Sequence, residues 1–124
     1  MCTLENPASS MLWLVPRVCK LISKGQRFTC DFCAFGTQWR KTTTFLAMNF
    51  GALQRLESFR CQGTSGSCSF SGRKHMNLSG RAPGSSMWLS SVAEPYPRRL
   101  CNVYAQALQE QVESSWIARQ RSTW

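Results

Sequence analysis

Acidic residues and histidine are scarce in this sequence, and long apolar runs are missing from it. Asp and Glu together number 6 against 15 Lys and Arg, which gives a net charge of +9 at pH 7. This imbalance favours polyanionic partners, with nucleic acid ahead of an anionic membrane. No stretch approaches the roughly 18 apolar residues that a bilayer span requires. We therefore predict DNA or another polyanion as the partner and no membrane insertion.

The amino terminus has no basic segment of the kind that opens a secretory signal, and Glu5 lies near its start. Without such a signal, the 7 cysteines are expected as reduced thiols rather than as a disulfide framework. The length of 124 residues allows one small domain, and an apolar fraction of 43% is compatible with a packed core. We expect an intracellular protein, in either the nucleus or the cytoplasm.

The spacing of apolar and turn residues predicts an α/β arrangement in residues 1–60. A strand is expected over residues 2–4 and a helix over residues 11–22, in which Pro16 introduces a kink or delays the start. Strand composition over residues 27–34 and 42–50, with a turn at Gly36, predicts a β-hairpin. A short helix is expected over residues 52–59.

The composition changes in residues 61–94, where Gly and Ser predict a loop-rich insertion. So long a loop in a small domain is typical of a functional segment, a metal site or disorder. Residues 95–118 are expected to hold a carboxy-terminal helix, with an apolar stripe that begins at Leu100. Residues 119–124 are expected to form a tail.

Two segments resemble motifs of the DNA cytosine-5 methyltransferases. Residues 4–7, Leu-Glu-Asn-Pro, resemble the Glu-Asn motif at the end of a strand in that family. Residues 35–46 resemble the family's Phe-Gly-x-x-Gln-x-Arg-x-Arg segment, with Gln38 offset by one position and the second Arg absent. Together with His75 and the Tyr-Pro-x-x-Leu-Cys string at residues 96–101, they look like a series found in methyltransferase-like chains of mobile elements. The resemblance covers about residues 3–108.

This resemblance implies the carboxy-terminal part of a methyltransferase-like domain. The implied fold is a partial Rossmann-like methyltransferase sheet, made of terminal strands and the β-hairpin, with a Gly/Ser-rich loop region and a carboxy-terminal helix. The resemblance also implies that Glu5 and Asn6 hold the target base and that Arg40 holds base or phosphate at the same cleft. The residues expected to contact DNA are Arg40, Lys41, Arg73, Lys74 and Arg81.

Features that the family's activity requires do not precede the Glu-Asn motif in this sequence. The family carries a Gly-rich turn for S-adenosylmethionine and a Pro-Cys loop that supplies the nucleophile. Here no Gly precedes Glu5, and Cys2 follows Met1 rather than Pro. We therefore expect no retained S-adenosylmethionine site and no methyl transfer by this chain alone. A separate upstream cofactor-binding half is the partner that would complete an enzyme.

The Cys and His residues suggest a different function. A structural zinc ion takes four sulfur or imidazole ligands in a tetrahedron. Cys30 and Cys33 would point to opposite faces of an extended strand, and the favoured quartet is Cys33, Cys61, Cys68 and His75. The rival hypotheses are thus a small zinc-stabilised nucleic-acid-binding module and a reading frame without function. Reduced cysteines with an exposed His75 remain the alternative to a metal site.

Overall fold

Strand β3 (Thr42–Met48) is the centre of a small antiparallel sheet in the computed structural model, which describes residues 1–123. Strand β1 (Cys2–Pro7) pairs with one edge of β3 and strand β2 (Gln26–Asp31) with the other, so the order is β1-β3-β2. Phe45 of β3 lies opposite Glu5 on one side and Phe28 on the other. The chain therefore combines an open three-stranded sheet with helices, as the predicted α/β class requires.

The predicted hairpin is confirmed, but its first strand is shorter than predicted. Strand β2 ends at Asp31, and Phe32–Phe35 forms a turn of 3-10 helix that ends at Gly36. Gly36 has a φ of 96°, in the left-handed region that glycine enters without strain. Strand β1 is longer than predicted and runs to Pro7, because its pairing with β3 continues along the whole segment.

The predicted helix over residues 11–22 is divided at Val15. Met11–Leu14 is a 3-10 helix, and the Ser10 hydroxyl accepts a hydrogen bond from the Leu12 amide at its start. Helix α1 (Pro16–Ile22) begins at Pro16. Pro at the first helical position needs no hydrogen-bond acceptor for its nitrogen. The prediction that Pro16 delays the helix is confirmed.

The core lies between one face of the sheet and the segments that follow it. Alternate residues of β2 and β3 point into it, including Phe28 and Phe45. The segment predicted as a short helix is a 3-10 helix, Gly51–Ser58, which buries Leu53 and Leu56 against the sheet. Each fully buried side chain of this size stabilises the fold by about 1.5–3 kcal/mol.

Helix α3 (Arg98–Ser122) closes the core and extends past the predicted end at residue 118. Its first half packs inward, with Leu100 and Ala107 buried and the Tyr104 ring 5.5 Å from the ring of Phe50. The helix continues into the segment predicted as a tail, where Trp116 is exposed. Trp124, the last residue of that predicted tail, lies outside the described residues.

Residues 59–88 connect the sheet to the carboxy-terminal helices. This described segment consists of turns and two isolated bridges, Ser67 with Lys74 and Arg81 with Trp88. A short helix, α2 (Leu89–Val92), follows it. Among residues 1–123, no helix combines the length and the apolar character that crossing a membrane would require.

Candidate metal centre

Three cysteines and the single histidine converge beside the sheet. The Sγ atoms of Cys33, Cys61 and Cys68 and one ring nitrogen of His75 all lie within 4.8 Å of one another. The Cys61 Sγ is 3.6 Å from the His75 Nε2. The three cysteines are buried and form a cluster separate from the main core. The quartet predicted from the sequence is therefore confirmed as a spatial cluster.

The first two ligands of this cluster are held by the sheet. Cys33 lies in the 3-10 turn that follows β2, which removes it from the alternation of the strand. Cys61 is held by Asp31, whose buried carboxylate accepts a hydrogen bond of 2.7 Å from the Cys61 amide. Both cysteines are thus anchored to the end of the same strand, although they lie far apart in the sequence.

Turns within the loop present the other two ligands. The Cys68 amide donates to the Arg73 carbonyl and the Gly72 amide donates back to the Cys68 carbonyl, each at 2.8 Å. The His75 amide donates to the Gly66 carbonyl, also at 2.8 Å. Three main-chain hydrogen bonds therefore fix the loop so that Cys68 and His75 face Cys33 and Cys61.

Backbone N–H groups point at two of the sulfurs. The Ser69 amide donates to the Cys61 Sγ and the Phe70 amide donates to the Cys68 Sγ, each at 3.4 Å. The Ser69 hydroxyl adds a third contact, 3.6 Å from the Cys61 Sγ. Such donors stabilise a thiolate, which is the form of cysteine that binds metals.

The three thiols differ in acidity because their surroundings differ. Burial would raise the pKa of the Cys61 thiol, but hydrogen bonds from the Ser69 and Gly63 backbone outweigh it and lower the pKa to about 6. The pKa of Cys68 is lowered in the same way, because donors from Ser71 and Phe70 outweigh the effect of burial. Burial, followed by hydrogen bonds with Cys68 and Cys61, raises the pKa of Cys33.

The donor set fits a zinc ion. Zinc–sulfur and zinc–nitrogen bonds of about 2.3 and 2.0 Å place tetrahedral ligand atoms roughly 3.5–3.8 Å apart. The separation of 3.6 Å between the Cys61 Sγ and the His75 Nε2 falls in this range. Since all four ligand atoms lie within 4.8 Å of one another, small side-chain movements would bring the remaining pairs to these separations. Three thiolates and one imidazole form a ligand set that is common in structural zinc sites.

Cys30 does not belong to this cluster, as its position in the strand predicts. Its side chain faces the main core and is fully buried. Burial, with a smaller contribution from Asp31, raises the pKa of the Cys30 thiol to about 12. Cys30 is therefore a small apolar core residue at neutral pH.

The residues predicted to hold a target base lie elsewhere on the sheet. Glu5 lines a cavity of about 460 Å³ together with Phe45, Tyr96 and Tyr104. The Tyr96 hydroxyl donates a 2.5 Å hydrogen bond to the Glu5 carboxylate. Asn6 is the next residue of β1 and pairs with Thr44.

Arg40 does not line the cavity that contains Glu5. Its guanidinium contacts Asp31 at 3.3 Å and donates to the Cys61 carbonyl at 3.1 Å. Burial opposes the charge of Arg40, but Asp31 and then the cysteines Cys61 and Cys33 raise its pKa. Arg40 thus supports the Cys/His cluster, and none of these contacts places it in a cleft with Glu5.

The other predicted DNA-contact residues fall into two groups. Lys41 is turned inward, since its Nζ donates to the Ala93 carbonyl at 3.0 Å and lies 5.0 Å from the Phe32 ring centre. Of these four residues, Arg73, Lys74 and Arg81 are exposed on the loop and Lys41 is half-buried.

Asp31 holds the residues around Cys61 in place, and the sequence did not predict this role. Its carboxylate is fully buried and accepts hydrogen bonds from the Thr42 hydroxyl and the Cys61 amide. It also forms ion pairs with Arg40 and Arg60. A lone Asp at the end of a strand carries no sequence signal for this role, because its partners come from two separate segments, residues 40–42 and 60–61.

Comparisons with known proteins give no family for this chain. No protein-family model, no curated protein and no solved structure matches it.

Proposed function

We propose that the chain is a zinc-stabilised nucleic-acid-binding module in which Cys33, Cys61, Cys68 and His75 hold the metal. The observation that carries the proposal is the convergence of these four ligand atoms within 4.8 Å. Residues 59–88 contain no helix or strand and few buried apolar side chains. A metal ion would stabilise such a segment where a hydrophobic core does not.

Charge supports nucleic acid as the partner of this module. The net charge is +9, and the loop between residues 58 and 93 contains no acidic residue. Arg73, Lys74 and Arg81 are exposed residues of this loop. Basic side chains on a metal-braced loop contact phosphates without reading base identity. We therefore expect weak binding with little sequence preference and a strong dependence on salt.

The experiment is a zinc measurement on a matched pair of variants. Purified wild-type protein should contain about one zinc per chain by elemental analysis. Cys68→Ser should lose most of it, whereas Cys101→Ser should keep it, because Cys101 is an exposed thiol outside the cluster. Freshly reduced wild-type protein without zinc that cannot be loaded with it would refute the metal site.

A DNA cytosine-5 methyltransferase-like protein, inactive on its own, is the second candidate. The sheet favours it: β1 and β2 both run antiparallel to β3, so they are parallel to each other and are connected through α1. A helix that connects two parallel strands is also found in the Rossmann-like sheet that the sequence resemblance implies, although β1 and β2 do not pair here because β3 lies between them. The cavity beside Glu5 would be the remnant of the base pocket.

This candidate predicts that the cavity still binds a cytosine nucleoside. Deoxycytidine added to labelled protein should shift the NMR signals of residues around Glu5. Glu5→Gln should abolish the shifts, whereas Glu94→Gln should preserve them, because Glu94 is exposed and outside the cavity. Absence of shifts at millimolar nucleoside would remove the second candidate without affecting the zinc module. Methyl transfer would in addition require S-adenosylmethionine and a nucleophilic Cys.

A further inference from the structure

A small hairpin on the loop presents a tryptophan to solvent. Arg81 and Trp88 face each other in an isolated antiparallel bridge, and the Ala82 amide donates to the Met87 carbonyl at 2.8 Å. The tip is the turn at residues 82–85, closed by a 3.1 Å hydrogen bond from the Ser85 amide to the Ala82 carbonyl. Trp88 therefore stands at the base of an ordered hairpin rather than on a free loop.

The sequence of the tip explains why this hairpin forms. Pro83 occupies the second position of the turn, where its fixed φ is favourable. Gly84 occupies the third with a φ of 70°, as a type II turn requires. The hairpin thus holds its side chains in place before any ligand binds, which reduces the entropy lost on binding.

The Trp88 ring stacks against the Arg81 guanidinium and still has a large exposed surface. The Arg81 guanidinium lies 4.8 Å from the Trp88 ring centre, and its Nη1 donates to the Ser86 carbonyl at 3.1 Å. Even with Arg81 against it, Trp88 keeps 53% of its surface exposed, as does the neighbouring Met87. An aromatic ring that is exposed in this way, beside a cation, has a face on which a flat ligand can stack.

The charge around Trp88 indicates what that site binds. The segment from residue 58 to residue 93 contains four basic residues and no acidic one. An apolar protein partner would gain nothing from this charge, whereas a nucleic acid gains both phosphate contacts and a ring on which a base can stack. Stacking on a side chain requires a base whose face is free, and bases inside a duplex are covered by their neighbours.

We infer that the hairpin at residues 81–88 is a binding site for single-stranded nucleic acid, in which an unpaired base stacks on Trp88 and Arg81 contacts the adjacent phosphate. The inference rests on the proposed nucleic-acid-binding function and narrows its partner to single strands. Both deoxyribose and ribose polymers fit the site, because the stacking surface reads the base and not the sugar.

The experiment measures binding of labelled oligothymidylate, oligouridylate and a duplex of the same length by fluorescence anisotropy at fixed low salt. Trp88→Ala should weaken binding of both single strands about five-fold or more. Trp88→Phe, which keeps a stacking ring, should retain most of the affinity. Trp116→Ala is the matched control, because Trp116 is 62% exposed on α3 and lies outside the hairpin.

The outcomes separate this inference from the function on which it rests. Unchanged affinity of Trp88→Ala, or tighter binding of the duplex than of single strands, overturns the stacking site and leaves the nucleic-acid-binding module intact. A wild-type chain that carries zinc but binds none of the three polymers overturns the module itself. Zinc content is measured on each variant. A variant that keeps its zinc but binds the oligonucleotides more weakly has then lost a contact of the hairpin and not the metal site.

Discussion

The Asp31 carboxylate accepts a hydrogen bond from the Cys61 amide across 2.7 Å, and this contact joins the end of β2 to the Cys/His cluster. The carboxylate is fully buried, yet two arginines approach it, Arg40 at 3.3 Å and Arg60 at 3.4 Å. A buried carboxylate is stable only when such donors surround it. Asp31 therefore fixes both the position of a ligand and the charge balance beside it.

Replacement of Asp31 by Asn should destabilise the protein and weaken the metal site. The Asn side chain would place its NH2 group against hydrogen-bond donors that the Asp31 carboxylate now accepts from. Arg40 and Arg60 would also lose their counter-charge. We expect a loss of about 2–4 kcal/mol in the free energy of unfolding, measured by urea denaturation. Glu94→Gln, an exposed carboxylate, should change this free energy by less than about 0.5 kcal/mol. Equal effects of the two substitutions would contradict the role assigned to Asp31.

Gly63 should not tolerate a side chain. A Cβ at this position would lie 1.6 Å from the Ser67 carbonyl oxygen, so the loop that carries Cys61 and Cys68 would have to open. Gly63→Ala should lower stability by about 2 kcal/mol or more and reduce zinc affinity. In Gly51→Ala, the new Cβ would meet only the Gln26 side chain, at 3.7 Å, and stability should barely change. Zinc affinity is measured by chelator competition and stability by urea denaturation of the two variants. Equal values for Gly63→Ala and Gly51→Ala would show that the loop is not tightly folded at Gly63.

Tyr96 should keep its proton to unusually high pH. Its hydrogen bond to Glu5, with some burial, raises the pKa of the Tyr96 phenol to about 12. Since the folded pKa lies above the ordinary value near 10, the stabilisation from this group is complete below pH 10. It is lost as the pH rises from about 10 to about 12. Titration of tyrosinate absorbance in a Tyr104→Phe background should show the raised pKa of Tyr96, and Glu5→Gln should return it to its ordinary value. An ordinary pKa of Tyr96 in the presence of Glu5 would contradict the hydrogen bond between them.

Nucleic-acid affinity should depend on salt through the loop cations. Each phosphate contact contributes about 0.7 to the slope of log affinity against log salt for a single strand. The double substitution Arg73→Gln and Lys74→Gln should therefore reduce the slope by roughly 1–1.5. Lys20→Gln with Lys24→Gln removes the same charge from exposed positions at α1 and the turn after it, and should leave the slope nearly unchanged. Equal changes in both double variants would indicate that only net charge matters.

The sequence predicted the local structure and the ligand set better than the tertiary contacts. Helix α1 starts at Pro16 because proline chemistry is local, and the hairpin of β2 and β3 follows from strand composition and the turn at Gly36. The Cys/His cluster was predictable because His75 and the cysteines are the side chains suited to a soft tetrahedral site.

The remaining features depend on contacts between distant segments. The 3-10 turn that contains Cys33 forms where the Phe32 amide donates to the Arg40 carbonyl, a hydrogen bond that strand propensity does not anticipate. Asp31 meets Cys61 across 30 positions of the sequence. Helix α3 continues past its apolar stripe to Ser122. Its last turns contain no buried side chain from which the end of the helix could be predicted.

X-ray absorption at the zinc edge of purified, zinc-loaded protein tests the proposed metal site itself. We expect three sulfur ligands at about 2.3 Å and one nitrogen ligand at about 2.0 Å. His75→Ala should leave the three sulfurs and replace the imidazole by a water oxygen or an added small ligand. A spectrum of oxygen and nitrogen ligands without sulfur, or with a single sulfur, would contradict a site built from Cys33, Cys61, Cys68 and His75.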